Sequence, residues 1–472
     1  MKKFKSLMNK GIICTTCTVA IIFTSSYAPV SANPTDKESL IILLDAEVKS
    51  EVHKIERKFP NVQVQLIEEI NSLVVNDIDK NQLPNIRKYM NKKLDIPTEN
   101  IVNNVEITIQ DPIANINDKT AKQSLLTENE EAKKYDKWMW DIKQVTNNYE
   151  SHVMNPGSHD VKVGIIDSGI DFHHPDLKQN IINTGKSFVP DDTTTQDNLG
   201  HGTMVAGTIA ANGKIKGIGP NIGIVPYKVF NQQGGDSSWV IQAIIQATKD
   251  DMDVVNLSLG TFKSIKKEED RSLIKAYRRA FEYAKEHNTV LVASSGNEGV
   301  DISDPHELAK QLGKPEDLLV HLPGGEKNVI TVAATDKESK LASYSNYGKV
   351  ISISAPGGDY GPNFKENQKY DVNSLVLAPY PVHLPQTPLS KNIGFEQGYE
   401  LMLGTSLAVP KVTATVAVMK DEYFKKFGKE MTNEEVESTL YRNAEQPNHY
   451  NKETSGEGIV NLYRVLMDIR SR

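Results

Sequence analysis

Hydrophobic positions along this chain fall into two unlike patterns. From residue 38 to 110 they come in short bursts. "ESLIILLD" reads as a strand, and Val48, Val52, Ile55 and Phe59 recur at i, i+4, i+7 and i+11, one face of a helix. "VQVQLIEEI" and "SLVVND" read as two more strands, with Asn71 at the turn between them. "KNQLPNIRKYMNKKL" reads as a second helix, with Pro84 near its start where a missing N–H is tolerated. "NNVEITIQ" reads as a closing strand on which Val105, Ile107 and Ile109 alternate. The order β-α-β-β-α-β predicts a small ferredoxin-like α+β unit.

From about residue 138 the pattern changes. Near-continuous apolar runs ("VKVGIIDSG", "GIVPYKVF", "MDVVNLSLG", "NTVLVASSG", "NVITVAATD") alternate with helical ones ("GTMVAGTIAA", "DSSWVIQAIIQATKD" capped by Asp236, "RSLIKAYRRAFEYAKEH"). Strands apolar on both sides belong in a parallel sheet covered on both faces. The alternation predicts an α/β fold, a doubly wound, mainly parallel sheet with helices on both faces. Between the two regions, residues 111–137 are polar and charged and read as a linker.

The N-terminus adds a compartment. "MKKFKSLMNK" is basic, "GIICTTCTVAIIF" is a short apolar run, and "SSYAPVSA" ends in small residues, so residues 1–32 read as a signal peptide cut after Ala32. Cys14 and Cys17 both lie inside it. The mature chain then has no disulfide, no thiol nucleophile and no Cys-bound zinc. "NLYRVLMDIRSR" at the C-terminus carries no hydrophobic tail, so no stable membrane span is expected once the signal is removed. A net charge of -7 and a pI near 5.9 argue against nucleic acid as a partner.

Strand ends are where an open α/β sheet collects function. Asp167 closes the first strand in "GIIDSGID", and Asn297 follows another in "SSGNEG". His201 sits between glycines in "NLGHGTMVAGTIAA", at the head of a small-residue helix that can lie close to the sheet. Ser406 sits in "GTSLAVP" at the start of an apolar helix, where it could be a cap or a nucleophile. A Ser hydroxyl needs an adjacent base, and the base needs an orienting carboxylate. The chain order Asp, His, Ser is one of the known orders of that arrangement. An amide such as Asn297 near the nucleophile supplies one donor of an oxyanion hole, the Ser406 N–H the other. A metallohydrolase built on His173 and His174 fits less well, since adjacent residues on an extended chain face opposite ways and no "HExxH" occurs.

"GIIDSGIDFHHPDL", "GHGTMVAGTIA" and "GTSLAVP" resemble the three active-site segments of the subtilisin-like serine proteases, with "NLSLG", "VASSGNEG" and "APGG" between them in the family's order. The resemblance implies that Asp167 orients, His201 is general base and acid, Ser406 attacks and Asn297 stabilises the oxyanion. It further implies that Ser258, Leu259 and Gly260 pair with the substrate backbone, and that Ala293, Ser294, Ser295 and Gly296 wall the pocket for the side chain before the scissile bond. Residues 33–110 resemble the family's inhibitory and chaperone pro-region, 111–137 would hold the maturation cut, and 138–472 would be the peptidase domain. Leu407 stands where the family usually has Met, a swap of similar volume.

Catalysis in this family needs no cofactor. A structural calcium is possible at an unknown site; "AANGKIKGIGP" is shorter than the calcium loop of the best-known secreted subtilisins, which argues against that particular site. Size and layout are most similar to the lantibiotic leader peptidases, which cut a modified precursor peptide, usually after Arg. Asp301 and Asp304 in the acidic insertion 299–325 are candidates for binding that Arg, although residues 111–150 contain no Arg for self-processing. The expectation is a secreted, monomeric serine endopeptidase made as a pro-enzyme, held by its own pro-region and acting on a precursor peptide. The alternatives are a broad-specificity extracellular protease and an inactive binding protein on the same fold.

Overall fold

The structure, a computed structural model, describes residues 37–44, 49–107, 109, 134–232, 234–367 and 370–472. The expected signal peptide and most of the expected linker lie outside the described residues.

The N-terminal unit has the predicted order. Strands β1 (Lys37–Leu43), β2 (Gln63–Ile67), β3 (Ser72–Asp79) and β4 (Ile101–Asn103) form an antiparallel sheet in the order β2-β3-β1-β4. Helices α1 (Lys49–Lys58) and α2 (Leu83–Lys93, Pro84 in its first turn) complete the unit. Alternation on the strands sorts the core. Leu40, Ile42, Leu73 and Val75 meet Ile55, Ile86 and Met90 of the helices. Ile41, Leu43, Val74 and Val102 point to the opposite face and join a second apolar cluster with the larger domain.

One predicted element moves. The strand expected over 103–110 does not close this sheet; β4 ends at Asn103, and Glu106–Ile107 pair antiparallel with Gly234–Asp236 of the larger domain. Ile107 is buried there among Val229, Phe230, Val240 and Ile241, which explains the alternation. The apolar period was real, but its partner was not in the same unit.

The larger domain is built on seven parallel strands: β5 (Lys162–Asp167), β6 (Lys186–Ser187), β7 (Gly223–Lys228), β8 (Val254–Leu257), β9 (Val290–Ser294), β10 (Ile330–Thr335) and β11 (Ile353–Pro356). Their order is β11-β10-β9-β8-β5-β7-β6. Val163, Ile165, Val254 and Val292 face helices α3 (His201–Ala210) and α6 (Thr405–Phe427). Ile166, Val255, Leu291 and Ala293 face α4 (Ser237–Lys249) and α5 (Glu268–Glu286). Both faces are covered, as near-continuous apolar strands require. The chain leaves β5 towards β7 and returns to its other side with β8, so a crevice opens at the carboxyl end of β5. Asp167 is the last residue of that strand.

Candidate active site

His201 meets Asp167 directly. His201 Nδ1 lies 2.7 Å from Asp167 Oδ1, with both side chains buried. A carboxylate oxygen only accepts, so Nδ1 carries the proton and Nε2 is left with its lone pair, the tautomer a base needs. Asp167 Oδ1 also accepts from the Ser168 N–H at 2.7 Å, which fixes the carboxylate.

The start of α3 is held by Asp197, a residue the sequence reading passed over. Buried completely, its carboxylate accepts from the N–H groups of Leu199, Gly200 and Thr203, from Thr203 Oγ1 at 2.6 Å and from Ser168 Oγ at 2.9 Å. Burial raises its pKa against the pull of those donors. Ser168 Oγ in turn accepts from the Gly202 N–H at 2.9 Å. A Cβ at Gly202 would sit 2.1 Å from the Gly169 carbonyl, so only glycine lets the imidazole's neighbour approach the β5 turn this closely. The available signal was Asp four residues ahead of His, on a turn.

Ser406 answers the cap question. The N-cap of α6 is Gly404, and Ser406 is the second residue of the helix, so its hydroxyl is not a cap. Its position places it in the positive end of the helix macrodipole. Five turns of apolar packing, including Val409 and Val412 against the sheet, fix that end beside α3. Leu407 is buried with Met204, Val376, Ala378 and Met402, where a Met-sized side chain fits.

Pro410 sets the local backbone. Inside a helix it has no N–H for the carbonyl four residues earlier, a defect of about 3 kcal/mol or more when uncompensated. That carbonyl belongs to Ser406, and Ser258 Oγ donates to it at 2.8 Å. Ser258 is held by Asn256 Nδ2 at 2.9 Å, and Asn256 Oδ1 accepts from Thr413 Oγ1 one helix turn on. The next carbonyl, Leu407, accepts from Lys411 Nζ at 2.9 Å, and this buried ammonium pairs with buried Asp141 at 2.8 Å. Burial lowers the Lys411 pKa, while Asp141 opposes the shift. Thus proline opens one bond of the helix that carries Ser406, and the Ser258 hydroxyl fills it.

Asn297 is oriented without ambiguity. Its Oδ1 lies 2.9 Å from the Thr405 N and 2.8 Å from Thr405 Oγ1. A backbone N–H only donates, so the atom facing it is the oxygen, and the amide's other end, Nδ2, is its donor. The anchored oxygen fixes the amide plane next to the start of α6. Asn297→Ala is expected to lower kcat by about 10²–10³-fold while KM changes little, because the bond forms only as charge develops. Steady-state kinetics on a peptide substrate would check it, and a matching rise in KM would count against the role.

The other expected substrate residues lie together, but their side chains point inward. Ser258, Leu259, Ala293, Ser294 and Ser295 are all buried. Ser294 Oγ donates to the Leu259 carbonyl at 3.0 Å, and Ser295 Oγ to the Asn346 carbonyl, so these groups build the walls and tie them together. Ser258 thus supports the Ser406 backbone. Gly260 and Gly296, one on each segment, both lie close to His321 Nε2.

Asp301 and Asp304 are both engaged locally. Asp304 is the N-cap of Pro305–Gln311, accepting from His306 N and Glu307 N, and Asp301 Oδ1 accepts from Ser303 N. Loop carboxylates next to a helix start satisfy its free N–H groups first. The insertion also supplies the strand Leu319–Leu322, paired antiparallel with Thr261–Ser264. Near the shortened loop, both oxygens of Asp176 are taken by backbone N–H groups, Oδ1 from Lys214 and Oδ2 from Ile215. Among the described residues no cluster of three or more His, Cys, Asp or Glu side chains is placed to hold a metal. No helix among them is long and apolar enough to cross a membrane.

A family model described as the subtilase family matches residues 158–461. The epidermin leader peptide-processing serine protease of Staphylococcus epidermidis is 30% identical over 353 residues, covering 70% of this chain and 74% of that protein. The nisin leader peptide-processing serine protease of Lactococcus lactis is 33% identical over 350 residues, and the match spans 67% of this chain but only half of that relative. Among solved structures, the epidermin leader peptide processing protease from Staphylococcus aureus superposes with a TM-score of 0.71 at 26% identity, over 92% of this chain and 99% of the other. A lanthipeptide protease superposes with a TM-score of 0.64 at 33% identity, over 71% of this chain and 95% of the other.

Proposed function

The chain belongs to the subtilase family and is a serine endopeptidase, and we propose that it is secreted as a pro-enzyme and removes the leader from a lanthipeptide-type precursor. The observation that carries the mechanism is the bond between His201 Nδ1 and Asp167 Oδ1 at 2.7 Å, with Asn297 anchored beside Ser406. In this reading His201 Nε2 takes the Ser406 proton as Oγ attacks the scissile carbonyl. Asn297 Nδ2 and the Ser406 N–H hold the oxyanion, and His201 returns the proton to the leaving amine. Water then repeats the sequence on the acyl-enzyme.

The pro-enzyme reading is supported by the N-terminal unit. Asn104 donates to Ser238 Oγ and accepts from the Ser238 N–H at 3.0 Å, at the start of α4. Arg279 of α5 donates to the carbonyls of Leu44 and Ile70. Glu106–Ile107 add a strand to Gly234–Asp236 in the manner of an extended peptide on a sheet edge. The unit would therefore act as an intramolecular inhibitor until the chain is cut between 111 and 137. The basic, then apolar, then small-residue N-terminus supports secretion. The similarity to leader peptide-processing proteases for epidermin and nisin supports a leader peptide as substrate.

Incubating the full chain with a leader-bearing lanthipeptide precursor and with an unfolded general substrate tests this reading, with new N-termini read by mass spectrometry. Leader peptidase activity predicts one cut in the precursor's leader and sparse cleavage of the general substrate. Equal cutting of both at many sites would replace it with a broad-specificity protease.

A further inference from the structure

The gap between Gly260 and Gly296 lies beside the nucleophile. Ser258, two residues before Gly260, holds the Ser406 carbonyl, and Asn297, next to Gly296, is bonded to Thr405. That gap is occupied by this chain itself. A Cβ built on Gly260 would lie 2.5 Å from His321 Nε2, and one built on Gly296 would lie 3.2 Å from the same atom. The Gly296 side is closed further by Asn346 and Glu298, whose side chains are bonded to each other at 2.6 Å.

His321 is not a loose side chain that a substrate could brush aside. It is 2% exposed and sits on Leu319–Leu322, where it is paired across the strands with Phe262. The Phe262 ring packs on the imidazole with centroids 5.1 Å apart. His321 Nδ1 lies 2.9 Å from the Gly324 carbonyl, so that nitrogen carries the proton and the ring is held at its other end. Burial lowers its pKa to about 4, so the ring is neutral at pH 7. Nε2 is buried without a hydrogen-bond partner among the described residues.

We propose that His321 plugs the pocket for the side chain before the scissile bond and limits this protease to a small residue there, Gly, Ala or Ser. The inference rests on the serine-protease reading of the site. Arg or an aromatic side chain would have to displace a ring held by Gly324, Phe262 and the two facing segments. Self-processing is compatible with the restriction, because residues 111–137 contain Ala114, Ala121, Ser124 and Ala132 and no Arg.

The test uses the full chain after self-processing and a peptide library varied only at the residue before the scissile bond, quantified by mass spectrometry. The wild type is expected to cut after Gly, Ala or Ser with kcat/KM at least about tenfold above Leu, Phe or Arg, the scale on which pocket volume discriminates. His321→Gly is expected to raise kcat/KM for cleavage after Phe, Leu and Arg, relative to Ala, by at least about tenfold. His321→Ala gives a second, milder widening should the glycine variant fold poorly. Wild-type cleavage after Arg or Phe equal to that after Ala would overturn the proposal, as would an unchanged profile in a folded variant. A preference for Arg, Lys, Gln or Asn would also overturn it, by showing that Nε2 and Glu298 serve as acceptors. Failure of the protease reading looks different, since then no peptide in the library is cut and Ser406→Ala matches the wild type.

Discussion

Ser406→Ala is expected to lower peptide hydrolysis by roughly 10⁶-fold, the scale seen when a nucleophile that acts as one unit with its base is removed. Self-processing between residues 111 and 137 should stop with it. The fold should not change. Gly404, not Ser406, is the N-cap of α6, so no cap is lost, and the residue 406 carbonyl still accepts from Ser258. Calorimetry on the variant should therefore show one cooperative unfolding transition, while mass spectrometry finds its precursor intact. Residual activity of a tenth or more would mean that another group attacks.

Asp167→Asn is expected to cost about 10⁴-fold in kcat, the effect of losing the tautomer and the imidazolium's counter-charge together. Asp167 Oδ1 accepts from both His201 Nδ1 and the Ser168 N–H, each at 2.7 Å. An amide of the same shape offers one oxygen and one NH₂ in this buried site. If the NH₂ faces His201, Nδ1 must become the acceptor and Nε2 takes the proton, which disables the base. If the oxygen faces it, the charge that stabilises the protonated ring is still gone. Because the side chain is nearly isosteric, KM should change far less than kcat. Equal losses in both would place Asp167 in substrate binding or folding instead.

Much of this was readable from the chain order alone, for a physical reason. Asp167, His201, Asn297 and Ser406 each sit where an element begins or ends, and element ends follow from local apolar periods and glycines. Asp236 was readable as the cap of α4 for the same reason, and its carboxylate accepts from the Ser238 N–H as expected. Residues 103–110 were misassigned because alternation shows that a strand has a buried face without showing which neighbour buries it. Asp301 and Asp304 misled similarly. Their charge is visible, but the helix start takes up Asp304 and the Ser303 turn takes up Asp301.

What the sequence determined by itself is the set of elements, their two-sided burial and the chemical types at the strand ends. These depend on contacts within a few residues or on a period that repeats. What only the tertiary structure decided is which groups meet. Ser258 rescues the carbonyl that Pro410 strands from 148 residues away in the chain. Asp197 gathers the start of the His201 helix, and His321 fills a gap between Gly260 and Gly296 that no local pattern announces. Such contacts join distant segments, and their energy depends on geometry that exists only once the sheet has brought those segments together.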